Sequence, residues 1–217
     1  MKNLETPAVK IAVYGAQSSI GYALLVEALA RQFETTLVLN DLNAIDARPG
    51  LSTVQGDPFD PISVSQSIAG KDAVVSVLPS QGGAQQFEHT FKAVTALLDG
   101  LPIAGVKRLL LIGDFTWLDA DGGISEPLRQ LQDRLTGSPV VWTLFDAPTV
   151  SEQALSLDHL RDPTSAPQPQ QAQLLRSFAS QVVDEVCHAD NMHQRIRIHP
   201  QATVAQSPSD VDVMPQP

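Results

Sequence analysis

The sequence predicts an α/β chain built on a doubly wound, mostly parallel sheet, and three observations carry that prediction. Short runs of Val, Ile, Leu and Ala alternate with helix-length amphipathic segments, the rhythm of strands joined by crossover helices. Those runs lack polar alternation, as strands buried on both faces do. The first of them also breaks into the turn Gly15-Ala16-Gln17-Ser18-Ser19-Ile20-Gly21, which leads straight into a helix-forming segment. Strand, tight turn and helix in that order aim a helix N-terminus and free N–H groups at a pyrophosphate.

Taken in order, residues before Pro7 are polar and read as loose. Residues 9–14 form the first strand, and 19–33 a helix with Ile20, Leu24 and Ala28 on its buried side. Residues 36–39 and 53–55 are the next two strands. Pro61 opens a short helix to residue 69, where its missing N–H is harmless, and Gly70 ends it. Residues 73–78 are the fourth strand, stopped by Pro79 and a flexible turn at 81–83. Phe87, Phe91, Val94 and Leu98 share one helical face. Residues 108–112 are the fifth strand and 113–123 a loop. A modest helix spans 127–135, and 140–145 is the sixth strand. Beyond it the pattern weakens. Residues 163–169 read as a proline-rich loop, Leu175, Phe178, Val182 and Val186 mark a later helix, and 195–199 alternate like an edge strand. One domain over 7–200 is expected, with a disordered tail over 203–217.

Bulk properties bound the partners. The 217 residues are 43% hydrophobic and only 5% aromatic, so the core is aliphatic. A net charge of -10 speaks against nucleic acid or an anionic membrane surface. It leaves room for an anionic cofactor, because a helix N-terminus binds phosphate without basic side chains. Cys187 is the lone cysteine, so there is no disulfide framework. No signal pattern and no apolar run of roughly 20 residues is present. A cytoplasmic protein with a small-molecule partner is expected.

In such a sheet, ligands gather at the carboxyl ends of the strands. Topology therefore places Gly15–Ser19, Asn40 and Asp41, Asp57, residues 76–80, Gly113–Phe115 and residues 146–148 around one crevice. Within the turn, Gly15 supplies the sharp bend and Gly21 the close helix–strand packing, while Ser18 replaces the middle glycine. Its hydroxyl could donate to a phosphate, or its Cβ could block the close approach. Asp41, about 20 residues past the turn, stands where a ribose-binding acid belongs, but is also an ordinary turn residue.

Four segments, KIAVYGAQSSIG from Lys10, VQGDPFDP from Val54, GKDAVVSVLP from Gly70 and AGVKRLLLIG from Ala104, together resemble the atypical short-chain dehydrogenase/reductase family, in its NmrA-like and flavin-reductase-like branch. The resemblance implies a Rossmann fold and an NAD(P)H site. It implies that Gly15, Gln17, Ser18, Ser19, Ile20 and Gly21 hold the pyrophosphate and that Asn40 and Asp41 meet the adenosine ribose. It places Asp57 beside the adenine, Val77, Leu78 and Pro79 along the nicotinamide half, and Gly113, Asp114 and Phe115 toward the substrate. Asn40 replaces the arginine that grips a 2′-phosphate in many members, which tilts the expectation to NAD(H) over NADP(H). The Tyr-x-x-x-Lys pair of classical members is absent. The expected function is an NAD(P)-binding oxidoreductase reducing a small flat acceptor such as a flavin or quinone. The alternatives are a non-catalytic NAD(P)-binding sensor or a domain that has lost dinucleotide binding.

Asp114 is the one candidate catalytic acid, provided burial raises its pKa; otherwise it caps the following loop. Cys187, His188 and His193 lack a metal-ligand spacing, so no metal site is assigned and they read as surface or helix-end residues. Asp133, Arg134, His89, His159 and His199 read as solvated surface. No G-x-S-x-G elbow occurs, so a serine hydrolase has no support.

Overall fold

The structure, a computed structural model, describes residues 8–45, 48–79, 84–119, 126–150 and 155–197. The segments read as loose before Pro7, as a turn at 81–83 and as a tail from 203, with His199, lie outside the described residues.

Seven strands make one parallel sheet: β1 (Lys10–Tyr14), β2 (Glu34–Leu39), β3 (Leu51–Gln55), β4 (Ala73–Val77), β5 (Arg108–Gly113), β6 (Val141–Asp146) and β7 (Gln194–Ile196). Their order across the sheet is β3-β2-β1-β4-β5-β6-β7. β1 pairs with β2 on one side and β4 on the other, so Val13 lies between Leu37 and Val75. The strand order reverses there, and the connections leaving β1 and β4 diverge to open a crevice.

Helices cover both faces. α1 (Ser19–Ala30), α5 (Leu157–Arg161) and α6 (Pro169–His188) lie on one, and α2 (Pro61–Ser67), α3 (Ala84–Ala104) and α4 (Glu126–Thr136) on the other. Successive strand side chains point to opposite faces, which splits the aliphatic core in two. Ile11, Val13, Leu110 and Ile112 pack with Leu24, Leu25, Leu175 and Phe178. Ala12, Tyr14, Leu109 and Leu111 pack with Val64, Val94, Leu97 and Leu131.

Several elements differ from the sequence reading, among them a 3₁₀ turn, Thr116–Asp119, within the loop expected over 113–123. α1 ends at Ala30 rather than at residue 33, because Gln32 turns to φ 61° and the Phe33 N–H donates back to the Ala28 carbonyl at 3.0 Å. α5 was not legible: it is a single short turn started by a capping box between Ser156 and His159. The loop expected over 163–169 is a 3₁₀ turn, Pro163–Ser165, and Pro169 already opens α6.

At the amino end of the sheet, a buried ion pair joins the last third of the chain to β5. The Arg108 and Glu185 side chains are 9% and 4% exposed, 2.5 Å apart. Arg108 also donates to the Thr143 hydroxyl at 2.8 Å, and Thr143 in turn to the Asn191 carbonyl at 2.6 Å. Asn191 returns two bonds to the Glu185 carboxylate, at 3.0 and 2.8 Å. Burial pulls the Arg108 pKa down and Glu185 opposes it. β7 is thus held by polar bonds as well as by its pairing with β6. Removing one partner strands a buried charge, so Glu185→Ala should lower unfolding free energy by about 3–5 kcal/mol in a urea titration. A loss below about 1 kcal/mol, the range of surface pairs, would contradict that account. Ala189 ends α6 at φ 50°. Relief of left-handed strain should make Ala189→Gly more stable, by up to about 1 kcal/mol.

Candidate functional site

The crevice begins where β1 turns into α1. Gly15 has φ +71°, and a Cβ placed there would lie 2.3 Å from the Val77 carbonyl oxygen at the end of β4. Only glycine fits both the backbone and the approach. At Gly21 a Cβ would meet the Ala16 Cα at 2.5 Å, so the first turn of α1 rests directly on the turn before it.

Ser18 has a third role that neither sequence reading anticipated. Its backbone is extended, at φ -89° and ψ 160°, and it is the N-cap of α1. The hydroxyl accepts from the Gly21 N–H at 3.0 Å and donates to the Gly15 carbonyl at 3.0 Å. The residue that replaces the middle glycine therefore knits the turn to the helix. Ser19 and Ile20 are the first two helical residues, whose N–H groups have no partner within the helix. Their side chains turn inward: Ile20 is in the core, and Ser19 Oγ accepts from the Leu155 N–H at 3.0 Å. What this pair presents to an anion is main chain.

An inner cleft of about 230 Å³ runs from this turn across the strand ends. Gly15, Gln17, Asn40, Val77, Leu78 and Pro79 line it. An outer cleft of about 600 Å³ adjoins it and shares Asn40, Gly56, Pro58 and Phe59; Asp57 belongs to this outer part. Asp41 is exposed and starts the 3₁₀ turn Leu42–Ala44, just beyond the described lining of both clefts. Neither lining contains a lysine or arginine among the described residues.

Asp57 is bonded at both ends. Its N–H donates to Ser63 Oγ at 2.8 Å, and its Oδ1 accepts from the Phe59 N–H at 2.9 Å. Tyr14 lies on the inner floor, its hydroxyl 2.8 Å from Ser67 Oγ; burial raises its pKa and the bond to Ser67 opposes the rise.

The carboxyl end of β5 differs from expectation. Phe115 is 3% exposed, packed in the core beside Trp117, and lines neither described cleft; nor does Gly113, which rests against Leu78. Asp114 is exposed, and its Oδ1 accepts from the Thr116 hydroxyl at 2.6 Å and the Thr116 N–H at 2.9 Å. Those bonds, with the Arg195 charge nearby, hold its pKa below the ordinary aspartate value. That direction is opposite to the one a proton donor needs. Beyond it, Arg195 bonds Asp146 at 2.9 and 3.0 Å and Asp119 at 2.9 Å, and Arg197 joins the same two carboxylates.

Sequence reasoning missed Tyr14, Phe59, His89 and Thr90 as lining residues. Phe59 lies inside the VQGDPFDP segment and was within reach. His89 was assigned to solvated surface; it is exposed, but on the crevice side of α3, and only the packing of α3 beside α2 puts it there.

Comparison with known proteins agrees with this geometry. A family model described as NAD(P)H-binding matches residues 15–145. Among solved structures, an oxidoreductase from Lactococcus lactis is 14% identical over 87% of this chain and 90% of its own, with a TM-score of 0.64. The enzyme WbmH of Bordetella bronchiseptica, in complex with NAD+, is 15% identical over 88% of this chain and 76% of its own, with a TM-score of 0.63. A short-chain dehydrogenase/reductase from Veillonella parvula, in complex with NADP, is 14% identical over 94% of this chain and 100% of its own, at a TM-score of 0.59. At such identities the likeness is one of fold. No curated protein matches in sequence. The family model spans more than half of the chain, which therefore belongs to the NAD(P)H-binding family.

Proposed function

We infer that the chain binds NAD(H) in this crevice and delivers hydride to a small flat acceptor such as a flavin or quinone. The observation that carries the reading is the cradle at Gly15: main chain lies where a Cβ would collide with the Val77 carbonyl, beside the open first turn of α1. Residues of that kind fit a pyrophosphate, which is held by N–H groups and the helix dipole rather than by side-chain charge. NAD(H) is favoured over NADP(H) because Asn40, Gln55 and Asp57 surround the outer cleft, with no cation for a 2′-phosphate among its described lining residues.

When bound, the nicotinamide supplies the hydride. The protein's part is to hold it at Val77, Leu78 and Pro79 and to orient the acceptor, since the Tyr-x-x-x-Lys pair is absent and Asp114 is held ionised. Flavins and quinones suit such a site, because they take up their proton from water. The lack of a proton donor among the described residues supports a second reading, a non-catalytic NAD(H) sensor, which shares the binding and lacks the turnover.

Thermal unfolding with each nucleotide tests the shared part. NADH at 100 times its dissociation constant should stabilise the fold by about 2.7 kcal/mol, with NADPH needing higher concentrations for the same effect. No shift with either nucleotide would sink both readings. Oxidation of NADH by added FMN or menadione, followed at the nicotinamide absorbance band, then separates enzyme from sensor. Gly15→Ala should abolish binding through the collision with Val77. Ser18→Ala should cost about 1 kcal/mol of stability, and Ser18→Gly only a few tenths. A gain of affinity in Ser18→Gly would show that the Cβ obstructs the phosphates.

A further inference from the structure

Phe59 is a large apolar side chain left 46% exposed at the mouth of the inner cleft. The His89 ring meets it from α3, with centroids 5.6 Å apart and planes inclined by 45°. Both rings line the same cleft as Val38, Leu39 and Gly56.

The segment presenting Phe59 is braced on each side. The Asp57 N–H donates to Ser63, the Phe59 N–H to Asp57 Oδ1, and the Asp60 N–H to the Asp57 carbonyl at 3.4 Å. Asp60 then caps α2 by accepting from the N–H groups of Ile62 and Ser63. A loop fastened this firmly does not leave an aromatic ring in water by looseness. The ring is held out in advance of its ligand, which lowers the ordering cost of binding. Asp57, meanwhile, spends a carboxylate oxygen on the Phe59 N–H.

We propose that Phe59 and His89 form an aromatic wall, positioned by Asp57, and that the base of the dinucleotide is held there by stacking. The proposal rests on the dinucleotide reading above and adds a specificity to it. The two rings already touch, so the base lies along their cleft side and does not slide between them. Ring faces recognise any purine, because every base has a π-face, whereas an edge contact to an exocyclic amine does not. The site therefore accepts a purine without the 6-amino group.

The test measures dissociation constants by calorimetry for NADH and for reduced nicotinamide hypoxanthine dinucleotide. Wild-type protein should bind the two within about threefold of each other. Phe59→Ala and His89→Ala should each weaken both by about tenfold. Phe59→Trp should bind at least as tightly as wild type. Phe59 and His89 are both exposed, so the unliganded variants should melt with the wild type. Hypoxanthine dinucleotide bound tenfold or more weaker than NADH overturns the proposal in favour of edge readout, and so do alanine variants that bind both ligands as wild type does. Failure of Phe59→Trp to bind overturns it too. A wild-type chain that binds neither dinucleotide overturns the dinucleotide reading and this proposal together.

Discussion

Most of the crevice depends on one steric constraint: the first turn of the chain presses against the end of β4 with no room for a single carbon at Gly15. That approach fixes how far α1 stands from the sheet and where its first N–H groups lie. Gly21 repeats the constraint one turn later, against Ala16, so the helix cannot slide along its axis. Ser18 then closes the triangle with hydrogen bonds to both glycines. A glycine at that position would leave the approach intact and remove the brace.

Electrostatics at the crevice follow from the same economy of side chains. The chain carries a net charge of -10, and the described cleft linings hold no lysine or arginine. An anion there would be met by main-chain N–H groups and a helix terminus, which act over a turn or so and ignore the overall charge. The guanidinium groups at the far end of the crevice, Arg195 and Arg197, are already engaged by Asp119 and Asp146. Chemistry at this crevice would therefore rest on placement of the reactants.

The architecture was legible because parallel strands announce themselves as apolar runs, and all seven fell at or within a few residues of their expected places. β7 was less distinct, because three residues give almost no pattern and its attachment relies on the Arg108–Glu185 pair, whose members lie far apart in sequence. α5 escaped for the same reason of length. At the crevice, Gly15 and Gly21 could be read because backbone constraints write themselves into residue type. Phe115 misled because an aromatic residue at a strand's carboxyl end suits the core as well as a ligand, and only tertiary packing decides. His89 lay on a helix flank with nothing local to mark it; its partner Phe59 was visible in a recognisable segment, yet their meeting spans two helices. Asp114 shows the limit of position alone, since Thr116 two residues on reverses the direction its pKa would need.

The shortness of β7 has a consequence for this edge of the sheet. A parallel sheet ends in a row of unpaired N–H and carbonyl groups, which another chain can use as a template. Here the outer strand offers only Gln194, Arg195 and Ile196, and the charged Arg195 and nearby Arg197 are tied inward to Asp119 and Asp146. A foreign strand adding to that edge would find three residues to pair with and a cluster of opposed charges to break. The ion network that holds the end of the sheet in place is thus also a guard against uncontrolled strand addition.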